Sequence, residues 1–216
     1  MLTVVLLGAS PLAGVLASGC GSSAQQNASE PQGTFAMRVT HAGFPARQSV
    51  AREERLVLSV RNTSAHAVPN VTVAVNSFDY ISDYPNLAAR RRPVWVVDHG
   101  PGPQPRRSVE TVEVDAPGGG TTANYNVWAL GRLPAGKTRS FVWDVTPVKP
   151  GMHTLSYRVY AGLNGKARAQ LAGGGIPGGS FKVAIAGSPP PKHVNPQTGR
   201  VEEGAYNAAA QPSSNG

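Results

Sequence analysis

The sequence predicts an all-β fold, a sandwich of two packed sheets, and three observations carry that expectation. From position 35 onward apolar residues recur with period two more often than with the helical period. About seven or eight such runs follow one another, each closed by turn-forming residues. The 216 residues include 25 glycines and 19 prolines but only 15% charged side chains, against about 25% in an average globular protein. No segment carries an amphipathic helical pattern longer than two turns.

Phe35, Met37 and Val39 alternate in the first run. Leu56, Leu58 and Val60 alternate with Val57, Ser59 and Arg61 in the second, which the turn formers Asn62-Thr63-Ser64 close. Val71, Val73 and Val75 alternate with Thr72, Ala74 and Asn76 in the third, and these last two runs are expected to be neighbouring strands joined around Pro69-Asn70. Later runs are Tyr125 to Leu130, Ser140 to Val145, His153 to Tyr160, and the alternation Phe181, Val183, Ile185. The turns Leu133-Pro134-Ala135-Gly136, Lys149-Pro150-Gly151 and Gly162-Leu163-Asn164-Gly165 separate them. Tyr157 enters the penultimate strand after a turn, where it serves either as a tyrosine corner or as a plain core residue.

Ahead of this body, residues 1–18 hold no charged side chain and carry the apolar runs Leu2 to Leu7 and Leu12 to Leu16 before small residues, the layout of a signal peptide. Ala17-Ser18-Gly19-Cys20 resembles the bacterial lipobox, which implies that Cys20 takes a diacylglyceryl group, with or without an N-acyl chain, and becomes the mature N-terminus. Two places depart from that pattern: the first basic residue is Arg38, and Ala17 stands where a branched residue is usual. An ordinary cleaved signal, or an apolar anchor with an incidental cysteine, is the alternative. Cys20 is the only cysteine, so no intrachain disulfide forms and the body depends on its core. Gly21 to Ser29 is polar and small, as expected of a flexible tether.

The block Leu58-Ser59-Val60-Arg61-Asn62-Thr63-Ser64, followed by Val68-Pro69-Asn70-Val71-Thr72-Val73, resembles bacterial extracellular immunoglobulin-like modules, among them the cell-adhesion-related CARDB family. Leu133-Pro134-Ala135-Gly136-Lys137 before Phe141-Val142-Trp143 is similar to their turn before the next strand. The resemblance covers about residues 50–186 and implies an immunoglobulin-like sandwich outside the cell. It implies no ligand, because such folds host many functions. The organisation expected is therefore a signal peptide (1–19), a lipidated tether (20–34), the sandwich (35–187) with an insertion at about 78–124, and a Pro-rich, largely disordered tail (188–216).

The insertion is the unusual part, since about fifty residues between two strands exceed an ordinary sandwich connection. It holds Tyr80, Tyr84 and Trp95 together with Arg90-Arg91-Arg92 and Arg106-Arg107. Long loops on rigid scaffolds are where binding resides, so these eight residues form the candidate binding surface. Arg92 to Val97 reads as an edge strand with Val109 to Val114 as its hairpin partner. The alternative is a solvated loop whose aromatics plug one end of the sandwich. A net charge of +8 suits a polyanion. For a chain outside the cell the expected partners are the membrane, through lipid on Cys20, and an anionic envelope polymer or acidic protein; nucleic acid is not expected.

Chemistry is harder to find. His41, His66, His99, His153 and His193 lack the short spacings of a zinc site, and Asp79 and Asp83 are too isolated for a calcium loop. There is no nucleophile elbow, no phosphate loop at Gly118-Gly119-Gly120 or Gly173-Gly174-Gly175, and no recognisable carboxylate pair. The reading is a non-catalytic, surface-anchored binding module on the outer side of the cell membrane, without metal or cofactor beyond the lipid on Cys20. Alternatives are a carbohydrate or small-ligand receptor using Trp95, Trp128 and the tyrosines, or an accessory domain of an envelope enzyme or transporter.

Overall fold

The structure, a computed structural model, describes residues 29–82, 88, 90–102, 122, 124–189 and 191–204. Cys20 and the leader, Tyr84, Arg106, Arg107, the run Val109 to Val114 and the tail from residue 205 lie outside these. Among the described residues every regular element is a strand, and no helix is long and apolar enough to cross a membrane.

The strands are β1 (Gly33–Gly43), β2 (Arg47–Ser49), β3 (Glu54–Asn62), β4 (Thr72–Val75), β5 (Asp79–Ile81), β6 (Arg91–Pro93) and β7 (Trp95–His99). There follow β8 (Val127–Ala129), β9 (Thr138–Pro147), β10 (Gly151–Tyr160), β11 (Ala167–Gln170), β12 (Gly178–Ala186), β13 (Lys192–Val194) and β14 (Val201–Glu203). One sheet has the order β11-β1-β3-β9-β7 and the other β2-β12-β10-β4-β8. Without the outer additions β11, β2 and β8, the first is the A-B-E-D sheet of an immunoglobulin-type sandwich and the second its G-F-C sheet.

The alternation read from the sequence is what closes the two sheets together. Leu56, Leu58 and Val60 of β3 and Phe141, Trp143 and Val145 of β9 are fully buried. They meet Val73 and Val75 of β4, Leu155 and Val159 of β10 and Val183 of β12 in a single core. Each such side chain contributes about 1.5–3 kcal/mol by leaving water. The Phe141 and Trp143 rings stack at 5.9 Å, and Trp128 meets Trp143 edge-on at 5.4 Å.

The expected β3–β4 hairpin is not found. The chain crosses between sheets at residues 63–71, so β3 pairs with β1 and β9, whereas β4 pairs with β10 and β8. Packing is the reason: the core faces of β3 and β4 are both apolar, and each needs the other opposite it, not beside it. Asn62 holds the crossing from inside. It is fully buried, its Nδ2 donates to the carbonyls of His66 (2.8 Å) and Leu133 (3.0 Å), and its Oδ1 accepts from Ser64 N (3.0 Å) and Ser64 Oγ (2.6 Å). The Leu-Pro-Ala-Gly turn then brings the chain into β9: Lys137 N donates to Pro134 O, and Gly136 has φ +70°, as a type II turn requires.

Both ends of the body extend beyond the expected limits. The fold begins at Glu30, not at residue 35, because the Glu30 side chain is buried under the turn that precedes β11. After Ala186 the chain forms the β13–β14 hairpin around a turn at residues 195–200, and Arg52 lies 3.6 Å from Glu203 at its end. Tyr157 stacks on Phe181 at 5.8 Å with its hydroxyl over Gly179, which makes it part of the core.

Strand directions define two poles. Glu30, the turns around 63–70, 130–137 and 161–166 and the start of β9 lie at one. The loop 44–53, the β9–β10 turn, the start of β7 and the tail hairpin lie at the other.

Candidate functional site

After β4 the chain turns through Phe78 toward this second pole and forms the short β5–β6 hairpin there before entering β7. The sequence explains why the hairpin is rooted there. Phe78 and Trp95 bracket it, and both are buried. Phe78 meets Trp128 edge-on at 5.8 Å, and the Phe78 carbonyl accepts from both Val94 N (2.7 Å) and Trp95 N (3.1 Å). Pro93 ends β6, and at Val94 the chain changes sheets, so the edge strand expected from Arg92 is two separate strands: β6 pairs with β5, and β7 lies on the edge beside β9.

Cross-strand register sets the hairpin's two faces. Tyr80 pairs with Arg92 and Ile81 with Arg91. On one face the Arg91 guanidinium lies 5.2 Å from the centroid of the Tyr125 ring and 3.7 Å from the Asp79 carboxylate. Tyr125 is 64% exposed and Ile81 65% exposed, so this face is open to solvent. On the other face the Lys149 ammonium, brought in by the β9–β10 turn, lies 2.9 Å from the centroid of the half-buried Tyr80 ring. Arg90 is exposed beside β6, and its carbonyl accepts from Ser82 N at 2.6 Å. Four cations, Arg90, Arg91, Arg92 and Lys149, thus share a small unit, and among the described residues Asp79 is the carboxylate that pairs with Arg91.

Of the residues expected to form the surface, Tyr80, Arg90, Arg91 and Arg92 come together here. Trp95 does not join them. It is 2% exposed, its indole N–H donates to the buried Gln48 Oε1 at 2.7 Å, and it packs on Phe44 and His153. Trp128 is 5% exposed, so the sugar-stacking platform built from the two tryptophans is ruled out by burial. Sequence reasoning missed Lys149 and Tyr125 as site residues. Their partners stand 69 and 34 positions away, and no local pattern signals a contact that only the sheet order creates.

Elsewhere, a groove of about 520 Å³ beside β11 is lined by Thr34, Tyr160, Ala167, Arg168, Ala169 and Ile176 among others and holds no carboxylate or histidine. A second hollow, of about 400 Å³, holds His99, Arg139 and Asp144, but Arg55 already engages Asp144 at 2.7 Å. No group of three or more His, Cys, Asp or Glu side chains stands close enough to hold a metal ion among the described residues.

No family model matches the sequence, and no curated protein matches it. Among solved structures the chain is similar to a CARDB domain from Pyrococcus furiosus, at 12% identity over 71% of this chain and 96% of that one, with a TM-score of 0.38. It is also similar to an ASH/PapD-like domain of human CEP192, at 9% identity over 71% of this chain and 84% of that one with a TM-score of 0.36. A third similarity is to 8% of the Escherichia coli alpha-2-macroglobulin chain, at 11% identity over 76% of this chain with a TM-score of 0.39.

Proposed function

We propose that this chain is a non-catalytic binding module, held on the outer side of a bacterial membrane by lipid on Cys20, that meets an anionic envelope polymer through the β5–β6 hairpin. The observation that supports this most is the Arg91 guanidinium stacked on the exposed Tyr125 ring within a group of four cations. A guanidinium held on an aromatic face keeps its outer N–H donors free for an anion, and stacking restrains its motion before binding. Cations carried on both faces of a small hairpin suit repeating negative charge, and the binding energy is then electrostatic and sensitive to salt.

Titration of the chain with inorganic polyphosphate, as a model polyanion, tests this. The triple variant Arg90→Glu/Arg91→Glu/Arg92→Glu is expected to bind about tenfold or more weakly near physiological salt, with the difference shrinking as salt rises. Equal affinity in wild type and variant, with the fold intact by circular dichroism, refutes the hairpin as the site.

A further inference from the structure

The pole opposite the hairpin contains a buried carboxylate. Glu30 is 8% exposed; its Oε2 accepts from the backbone N–H groups of Leu163 at 2.7 Å and Asn164 at 2.8 Å, and its Oε1 from Ala167 at 2.7 Å. Gly162 lies against the carboxylate, and a Cβ there would collide with it. A turn that aims several N–H groups at one point is an anion nest, and here the chain's own side chain fills it.

The residues that follow are fastened differently from the rest of β1. Gly33–Ala36 pair in parallel with β11, whereas Met37–Gly43 pair with β3. Positions 30–36 are held by the Glu30 nest, the β11 ladder, the packing of half-buried Phe35 on the core and a bond from Thr63 N to Ala36 O at 2.9 Å.

We propose that residues 30–36 are a strap, with Glu30 as its buckle, that fixes the N-terminal attachment at the pole opposite the basic hairpin and turns the hairpin away from the membrane holding the chain. This rests on the anchored reading above and identifies the polyanion's source as material beyond the bilayer, not headgroups of the anchoring leaflet. Lengths support it. The ten residues of β9 run from pole to pole, about 33 Å. The ten positions from Cys20 to Ser29 reach at most about 35 Å when drawn straight. With the strap closed, bringing the hairpin past the sandwich onto its own leaflet uses nearly that entire length; opening it would add seven residues, about 24 Å.

Two measurements on the full chain test the proposal. In hydrogen exchange, Glu30→Gln is expected to lower protection about tenfold or more at the amides of Leu163, Asn164, Ala167 and residues 33–36, while β3, β9 and β10 keep theirs. Unchanged protection, or a uniform loss, overturns the strap. For orientation, the chain is coupled through Cys20, its one thiol, to a maleimide lipid in phosphatidylcholine vesicles, with or without phosphatidylglycerol. A fluorophore is placed at Arg90 or Ala135 by a noncanonical amino acid, and energy transfer to a headgroup acceptor is read. Weaker transfer from position 90 than from 135 on both vesicles is expected. Equal or stronger transfer from 90 on either overturns the orientation. Because the coupling is chemical, finding no lipid on Cys20 in cells would remove the anchored reading and leave this geometry intact.

Discussion

Glu30 shows how a single side chain can belong to the fold though it stands among polar, tether-like residues. Burial pushes its carboxyl up, but N–H donors from Ala167, Asn164, Leu163 and Lys166 outweigh that and hold it below the ordinary value of 4.5. The fold therefore favours the charged form. Its stabilisation is complete above about pH 4.5 and is lost as pH falls through the lowered folded value. Glu30→Gln is expected to lower stability by about 2 kcal/mol at neutral pH, and the gap to wild type should narrow in acid; denaturation at several pH values checks this. A gap that widens in acid contradicts the nest. Asn62 is the neutral counterpart, with both ends of its amide engaged. Asn62→Leu takes one of two donors from each of the His66 and Leu133 carbonyls, which keep Ser64 Oγ and Val68 N, and leaves Ser64 N without its acceptor; a loss of about 1–3 kcal/mol is expected in urea unfolding. The role of Glu30 does not show in the sequence, because its partners lie more than 130 positions away; Asn62 is legible as a turn former through Ser64, but not its bond to Leu133, 71 positions on.

At the scale of strands, the local signals were readable where one face alone is buried. Leu56, Leu58 and Val60 announce β3 because period two is the geometry of a strand with a dry and a wet side. Pairing was less readable: β3 and β4 look like a hairpin by sequence distance, yet their apolar faces oppose each other across the core. The short strands β2 and β11 have no alternation long enough to notice. Glycines record the β10–β12 pairing. A Cβ at Gly178 would stand 2.6 Å from the Tyr157 carbonyl oxygen, and one at Gly179 would stand 2.7 Å from the Tyr157 hydroxyl. Gly178→Ala is expected to cost about 1–3 kcal/mol, because backbone must move; thermal unfolding checks it, and an unchanged midpoint would mean that the pairing is looser than described. Deleting a core ring is costlier still, with Phe141→Ala expected to remove about 3–5 kcal/mol.

Across the whole molecule the N-terminal arm and the basic hairpin lie at opposite poles. The N-terminal arm enters at one pole, tied to β11, and the cationic hairpin stands at the other on a root of Phe78 and Trp95. The sequence made the sandwich and the arginine run legible. It misjudged Trp95 because a lone tryptophan in a basic segment reads equally as ligand platform or plug, and only burial decides. The reading of this architecture as an envelope module turns on attachment at Cys20, so the most direct test is the intact mass of the protein extracted from membranes, wild type beside Cys20→Ala. A wild-type chain that begins at Cys20, carries acyl mass and stays with the membrane is expected, beside a variant that loses both the mass and the retention. A wild-type chain cut elsewhere, or beginning at Cys20 without acyl mass, would contradict that reading.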